Sequence, residues 1–171
     1  MSERNKELEQ DFNPELDLKL ERIIDLPREW IYEAWTTPAS IKEWFCPKPW
    51  GVSHCEVDLK PGGLFRAVML SPEGEEIPNM GCYLEIVPNE RIIWTDALLP
   101  GYRPAPEPVS GANLYFTGMI LLSETQEGTK YLAISKHRNK EDCKKHEEMG
   151  FHQGWGIVLD QLIEYVRSIK K

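Results

Sequence analysis

The fold of this chain is decided by DLKPGGLFR at residues 58–66 and GCYLEIVPNERIIWTD at residues 81–96. The first block predicts a strand end, a turn at Pro61-Gly62-Gly63 and a new strand, and the second predicts two strands joined at Pro88-Asn89-Glu90. Glycine tolerates positive φ and proline restricts φ, so both blocks predict antiparallel hairpins. No phosphate loop, metal cluster or nucleophile motif accompanies them. The blocks therefore indicate a curved sheet that encloses another element or a ligand, and they contain no recognisable catalytic group.

Composition places the chain among ordinary globular domains and excludes several partners. Its 171 residues are 41% hydrophobic and 28% charged, with a formal net charge of −8. Phosphate binding needs clustered Lys and Arg, so the acidic balance argues against nucleic acid and against an anionic membrane surface. No apolar stretch approaches the length of a membrane span, and the polar start MSERNKELEQ is unlike a signal peptide.

The four cysteines, Cys46, Cys55, Cys82 and Cys143, form no CxxC pair. Without an export signal they are expected to be reduced thiols, which predicts a cytoplasmic protein.

The first half of the chain predicts a tail, a strand and two short helices. Residues 1–15 are polar and unpatterned, which predicts a flexible tail. Residues 16–24 alternate apolar and polar, as a half-buried strand does. Pro27 opens a helix, and a second short helix runs to about residue 45. A single domain is therefore expected over residues 16–171.

The second half predicts a sheet followed by a long helix. Strands are expected at about 52–59, 63–70, 80–87, 91–98, 114–123 and 129–137, with a proline-rich loop at 98–113. Apolar residues then recur every three or four positions from Phe151 to Ile169, which predicts one amphipathic helix over about 140–169. Only the sheet can cover its apolar stripe, so the fold class is α+β, with a curved antiparallel sheet wrapped around the helix.

Five segments in this order resemble the START-like (SRPBCC) superfamily, which has the helix-grip fold, and within it the group named for the activator of heat-shock protein 90 ATPase. They cover most of residues 16–169 and read RIIDLPREWIYEAWTTPASIKEWF (22–45), DLKPGGLFR (58–66), GCYLEIVPNERIIWT (81–95), GTKYLAI (128–134) and GFHQGWGIVLDQL (150–162). The resemblance implies a cavity between the long helix and the sheet that holds an apolar small molecule. It also implies a possible chaperone or other protein partner and a role in stress response, and it carries no shared catalytic set.

Candidate ligand-binding residues come from the aromatic side chains of the strands and helices, because ligand cavities are mostly apolar with a few polar groups. Glu148 and His152 join them, because both fall on or beside the face of the predicted helix that carries Trp155. The alternative for these two is a helix start that projects into water. The full set is Trp44, Phe65, Tyr83, Trp94, Phe116, Glu148, Phe151, His152 and Trp155.

No metal or other cofactor is expected. On one continuous helix His146 and His152 would point about 240° apart and could not chelate one ion. His54 and His137 lie on strands far apart in sequence, and no histidine or basic motif activates a cysteine.

Three functions remain open from the sequence. Sequestration of an aromatic or lipid-like small molecule is preferred, with a protein-binding module resembling the chaperone-ATPase activator as the first alternative. The second alternative is a cyclase- or hydrolase-type enzyme that uses the same cavity and a convergent acid/base pair. The proline-rich loop is interpreted either as a lid, with Leu98 and Tyr102 over the cavity, or as a solvated excursion.

Overall fold

The computed structural model describes residues 1–109 and 111–170, which form five helices and nine strands. In chain order these are α1 (Glu3–Gln10), β1 (Asp17–Ile24), α2 (Arg28–Thr36), α3 (Pro38–Trp44), β2 (Gly51–Val57), β3 (Leu64–Leu70), β4 (Glu76–Val87), β5 (Arg91–Thr95), β6 (Leu98–Leu99), β7 (Arg103–Pro104), β8 (Thr117–Thr125), β9 (Gly128–Lys136), α4 (Lys140–Glu148) and α5 (Phe151–Ile169). Among them, no helix is both long and apolar enough to span a bilayer.

Seven strands form one antiparallel sheet in the order β1-β9-β8-β5-β4-β3-β2. The two hairpins predicted from residues 58–96 are confirmed, with β2 paired to β3 and β4 paired to β5. Gly62 and Asn89 take positive φ in the two turns (82° and 65°), as glycine and asparagine do most readily. These turns set the register that places alternate side chains on the concave face of the sheet.

The concave face packs against α5, with α2 and α3 closing one side. Helix α5 buries Leu159, Leu162 and Val166 against the sheet and the two short helices, at 1%, 0% and 2% exposure. Gln161 ties α5 to the end of α3, because its side-chain amide donates to the carbonyls of Trp44 (3.0 Å) and Cys46 (2.8 Å). The predicted α+β helix-grip architecture is confirmed.

The C-terminal region contains two helices where the sequence predicts one over 140–169. Helix α4 ends at Glu148 and α5 begins at Phe151, and Gly150 between them has a φ of 96°. A residue in this left-handed conformation interrupts the helical hydrogen bonds, and glycine adopts it without steric cost. The break allows α4 to lie against β1 and α5 at an angle of its own.

The N-terminal segment is also more ordered than the flexible tail predicted over 1–15, because it contains helix α1. Ser2 caps this helix by accepting a hydrogen bond from the backbone N–H of Asn5. Leu8 packs on the convex face of the sheet in a second core. The buried residues of that core are Leu8, Ile93, Met119, Leu121, Leu132 and Ile134. The central strands are therefore covered on both faces.

Several strand boundaries differ from the prediction, most of all the starts of β4 and β8 and the end of β5, which lies at Thr95. Strand β4 begins at Glu76, because its first residues pair with the end of β3. Strand β8 begins at Thr117, because the chain from 98 to 116 first forms the small β6–β7 hairpin, in which Leu98 pairs with Pro104.

Candidate functional site

A cavity of about 290 Å³ lies between the concave face of the sheet and helix α5. This size is at the lower end of the range of small-molecule sites. Its surface is mainly aromatic, and a few polar side chains interrupt it. The aromatic lining residues are Trp35, Trp44, Phe45, Phe65, Trp94, Phe116, Tyr131, Phe151 and Trp155, and the polar ones are Asn79, Asp96 and His146.

The indole rings hold one another in fixed orientations around this space. The ring of Trp94 on β5 is nearly parallel to that of Trp155 on α5, with centroids 6.5 Å apart and 13° between the planes. Trp35 on α2 lies 5.5 Å from Trp94, and its Nε1 donates to the hydroxyl of Tyr131 at 3.2 Å. Aromatic neighbours at such separations prefer offset or edge-to-face arrangements, which restricts their motion. The cavity therefore has preformed planar walls.

Six of the nine residues predicted as a site line the cavity, and three do not. The six are Trp44, Phe65, Trp94, Phe116, Phe151 and Trp155. Tyr83 is buried behind Phe65, with ring centroids 5.7 Å apart, and burial raises the pKa of its hydroxyl.

Glu148 and His152 are exposed and lie outside the cavity lining, so their placement in the predicted site is wrong. Their assignment assumed one continuous helix, and the break at Gly150 separates Glu148 from the face of α5. Glu148 instead lies 3.9 Å from Lys144 in an exposed ion pair.

The sequence analysis selected none of the three polar lining residues, and one of them, His146, reaches the cavity from α4. Its Nδ1 lies 2.9 Å from Nε2 of His137, which follows β9, and 3.3 Å from the hydroxyl of Ser135. We refer to His137 and His146 as the histidine pair. On the cavity side the ring of His146 packs against Phe116, with centroids 5.1 Å apart. The pair was missed because its members come together only when α4 folds back onto β1 and β9.

Burial keeps both imidazoles neutral. Burial and, to a smaller extent, the charge on a protonated His137 together lower the pKa of His146 to about 4. Burial also lowers the pKa of His137, against the opposing effects of the Leu16 carbonyl, Asp17 and Asp142. Two cationic rings at this separation would repel each other, so the pair is suited to hydrogen bonding in its uncharged form.

The proline-rich segment contributes to the cavity through different residues from those expected. Tyr102 is 53% exposed and rests against Gly62, and neither it nor Leu98 lines the cavity. Val109, Gly111 and Ala112 do, and two hydrogen bonds fix them to β4. Met80 N–H donates to the Val109 carbonyl at 2.8 Å, and Gly111 N–H donates to Oδ1 of Asn79 at 2.9 Å. The intervening Ser110 lies outside the described residues.

The described residues contain no group of three or more His, Cys, Asp or Glu side chains that could hold a metal ion. The four cysteines are free thiols. Burial raises the pKa of Cys46 and of Cys55 to about 11, which leaves both protonated and weakly nucleophilic.

Comparison with known proteins gives one family and many related structures. The family model described as Activator of Hsp90 ATPase homolog 1-like protein matches residues 25–167. A crystal structure of a Nitrosomonas europaea protein is 44% identical, with a TM-score of 0.86, and the match covers 93% of this chain and 99% of that one. A Chromobacterium violaceum protein is 25% identical (TM-score 0.65, 90% and 98% covered). A Rhodobacter sphaeroides protein shares the fold at 19% identity (TM-score 0.77, 91% and 95% covered). No curated protein matches the chain.

Proposed function

Because this chain belongs to the Activator of Hsp90 ATPase homolog 1-like family and has its helix-grip fold, we propose that it binds a small, planar, apolar molecule between the sheet and α5. Binding removes the ligand from water, and the apolar area buried is the driving force. The observation that carries the proposal is the cavity itself, with nearly parallel indoles of Trp94 and Trp155 on opposite elements. An aromatic ring system is the ligand shape that such walls favour.

Gly154 supports this assignment of the cavity. It lines the cavity within α5, and a Cβ atom added there would meet nothing within 4 Å. Glycine inside a helix costs about 1 kcal/mol relative to alanine, so a side chain here would stabilise the helix. No neighbouring atom of the protein would prevent a larger side chain at position 154. We therefore infer that the glycine leaves space for a ligand.

The experiment is a binding screen by isothermal titration calorimetry, with bicyclic aromatic compounds added to the 171-residue chain. Compounds that bind in the cavity should also raise the melting temperature, because a ligand of the native state stabilises it by mass action. Gly154→Leu is the test variant, since its side chain would occupy the cavity and strengthen the helix. We expect it to melt higher than the wild type and to lose binding.

Gly156→Ala is the matched control, because it makes a similar change in the same helix outside the cavity lining. It should gain helix stability and keep the wild-type affinity. If no aromatic compound binds the wild type, or if Gly154→Leu binds as well as Gly156→Ala, the proposed function is wrong.

The two alternatives lack an equivalent observation. A protein-binding role would favour a contiguous exposed apolar patch. The exposed large apolar side chains of the described residues are distributed along the sequence: Met1, Ile23, Leu59, Tyr102, Met149, Ile157 and Ile169. An enzymatic role would need a nucleophile or acid beside the histidine pair, and Ser135 is buried outside the cavity lining. The free thiols agree with the cytoplasm as the proposed compartment.

A further inference from the structure

The histidine pair has a single arrangement of protons that satisfies all its contacts, and it begins at a backbone carbonyl. Nδ1 of His137 lies 2.8 Å from the carbonyl oxygen of Leu16. A carbonyl oxygen can only accept, so Nδ1 of His137 carries the hydrogen. In a neutral imidazole the other nitrogen is then an acceptor, which makes Nε2 of His137 unprotonated.

The same reasoning fixes the tautomer of His146. Its Nδ1 lies 2.9 Å from the unprotonated Nε2 of His137. Two lone pairs at that distance would repel, so Nδ1 of His146 carries a hydrogen and donates it. The hydroxyl of Ser135, 3.2 Å and 3.3 Å from these two nitrogens, adds a polar neighbour without changing the assignment. Nε2 of His146 is therefore the unprotonated nitrogen of a neutral ring.

This nitrogen is left for an outside partner. Among the residues that the structure describes, Nε2 of His146 makes no hydrogen bond. It is also not one of the described side-chain atoms that are both unpartnered and completely enclosed by protein. The two nitrogens of an imidazole point in widely divergent directions. Since Nδ1 faces Ser135 and His137, Nε2 lies on the other edge of a ring that lines the cavity.

We propose that Nε2 of His146 accepts a hydrogen bond from the ligand, so that the cavity selects planar aromatic molecules that carry a hydroxyl or N–H donor. This inference rests on the proposed function and adds a chemical requirement to it. A phenol-like ligand satisfies both parts: its ring lies among the indoles, and its hydroxyl donates the hydrogen bond that Nε2 of His146 can accept. An ether or a plain hydrocarbon of the same shape leaves Nε2 unsatisfied and desolvated.

The test compares naphthol with its methyl ether, which retains the ring system and the oxygen but cannot donate. Calorimetry at neutral pH on the wild type should show naphthol binding about fivefold to tenfold more tightly, as expected for one net hydrogen bond. In His146→Phe, which keeps an aromatic ring but has no acceptor, the two compounds should bind equally. The decisive quantity is the ratio of the wild-type affinities for naphthol and for its methyl ether.

A second measurement needs no variant and holds even if His146→Phe does not fold. Two-bond proton–nitrogen NMR correlations of the wild type report which ring nitrogen is protonated. We expect Nδ1 of His146 to be protonated and Nε2 to be unprotonated, and naphthol, but not its ether, should shift the Nε2 resonance.

The outcomes separate the two proposals. If both compounds bind the wild type with equal affinity, or if Nε2 of His146 carries the proton, the selection of donors is wrong while the binding function stands. If neither compound nor any other aromatic in the screen binds, the proposed function itself fails. A naphthol preference that persists unchanged in His146→Phe places the donor's partner elsewhere and also overturns the inference.

Discussion

Nδ1 of His146 lies 2.9 Å from Nε2 of His137, although one residue belongs to α4 and the other follows β9. The contact joins helix α4 to the end of strand β9, an interior strand of the sheet, at a buried position. Burial disfavours a charge on either ring, and protonation of both rings would place two positive charges side by side. The stability of the fold therefore depends on pH through these two residues.

We expect the free energy of unfolding to decrease as the pH falls from 6.5 towards 4. Burial, and then the charge of His137, lower the pKa of His146 from 6.5 to about 4. Over that interval the unfolded chain binds a proton that the folded state excludes. The contribution is fully present above pH 6.5 and amounts to roughly 3 kcal/mol for a shift of this size. Urea unfolding at a series of pH values measures it.

The variant His146→Phe removes this titration and should flatten the pH dependence, while His137, whose pKa burial also lowers, continues to contribute. His152→Gln is the control, because His152 is exposed on α5 and should leave the slope unchanged. Equal slopes for the wild type and His146→Phe would contradict the prediction.

Gly118→Ala should destabilise the protein by about 1–3 kcal/mol, because it overpacks the core. A Cβ at Gly118 would lie 2.5 Å from Cζ2 of Trp94, so the indole must move. Trp94 lines the cavity, so affinity for aromatic ligands should fall together with stability. Gly51→Ala is the control, since nothing lies within 4 Å of its added Cβ. Chemical denaturation and calorimetry give both quantities, and wild-type affinity in a destabilised Gly118→Ala would argue against a role for Trp94 in binding.

Asn5→Ala should cost about 1–3 kcal/mol, because it leaves buried polar groups unsatisfied. The side-chain amide of Asn5 donates to the carbonyls of Glu90 and Leu122, and its oxygen accepts from Arg91, each at 3.3 Å. Arg4→Ala breaks an exposed ion pair on the same helix and should cost less than about 0.5 kcal/mol. The difference between the two midpoints in urea tests whether α1 is an integral part of the fold.

Asn79→Ala should weaken ligand binding severalfold and reduce stability by about 1–3 kcal/mol, because its side chain makes two hydrogen bonds. Its Oδ1 accepts from the N–H of Gly111 at 2.9 Å, and its Nδ2 donates to the carbonyl of Ala67 at 3.3 Å. The side chain of Asn79 holds Gly111 beside the cavity, so its loss frees that part of the proline-rich segment. Tyr102→Asn is the control, because asparagine accepts the positive φ of 64° at this exposed position. An unchanged affinity in Asn79→Ala would mean that the segment is a solvated excursion.

The fold could be predicted because its signals are local. Turns at Gly62 and Asn89 and the apolar spacing of Phe151, Trp155 and Leu159 depend only on neighbouring residues. Six lining residues were also found in advance, because the strands and α5 carry many aromatic side chains and ligand cavities are mostly apolar. Helix α1 was missed because Leu8 is the only apolar residue in its eight, although Ser2 at its N-cap was a readable signal.

The polar part of the site could not be predicted in the same way. His137 and His146 meet through a change of chain direction, and no spacing in the sequence encodes their distance. One signal was available: Gly150 separates the charged run at 140–148 from the apolar stripe, as a glycine after a helix C-terminus does. This signal predicts two helices in place of the single helix over 140–169, and it excludes Glu148 from the face of α5 that carries Trp155.

The left-handed residue at Gly150 also governs how related sequences should be aligned. Helical phase does not carry across the junction, so the segments on either side must be matched independently. A relative with one additional residue between them could keep both helices intact and still present a different side chain of α4 to the ligand. Under the proposed function, the length of that junction would therefore influence which ligands fit, although a substitution matrix does not score it.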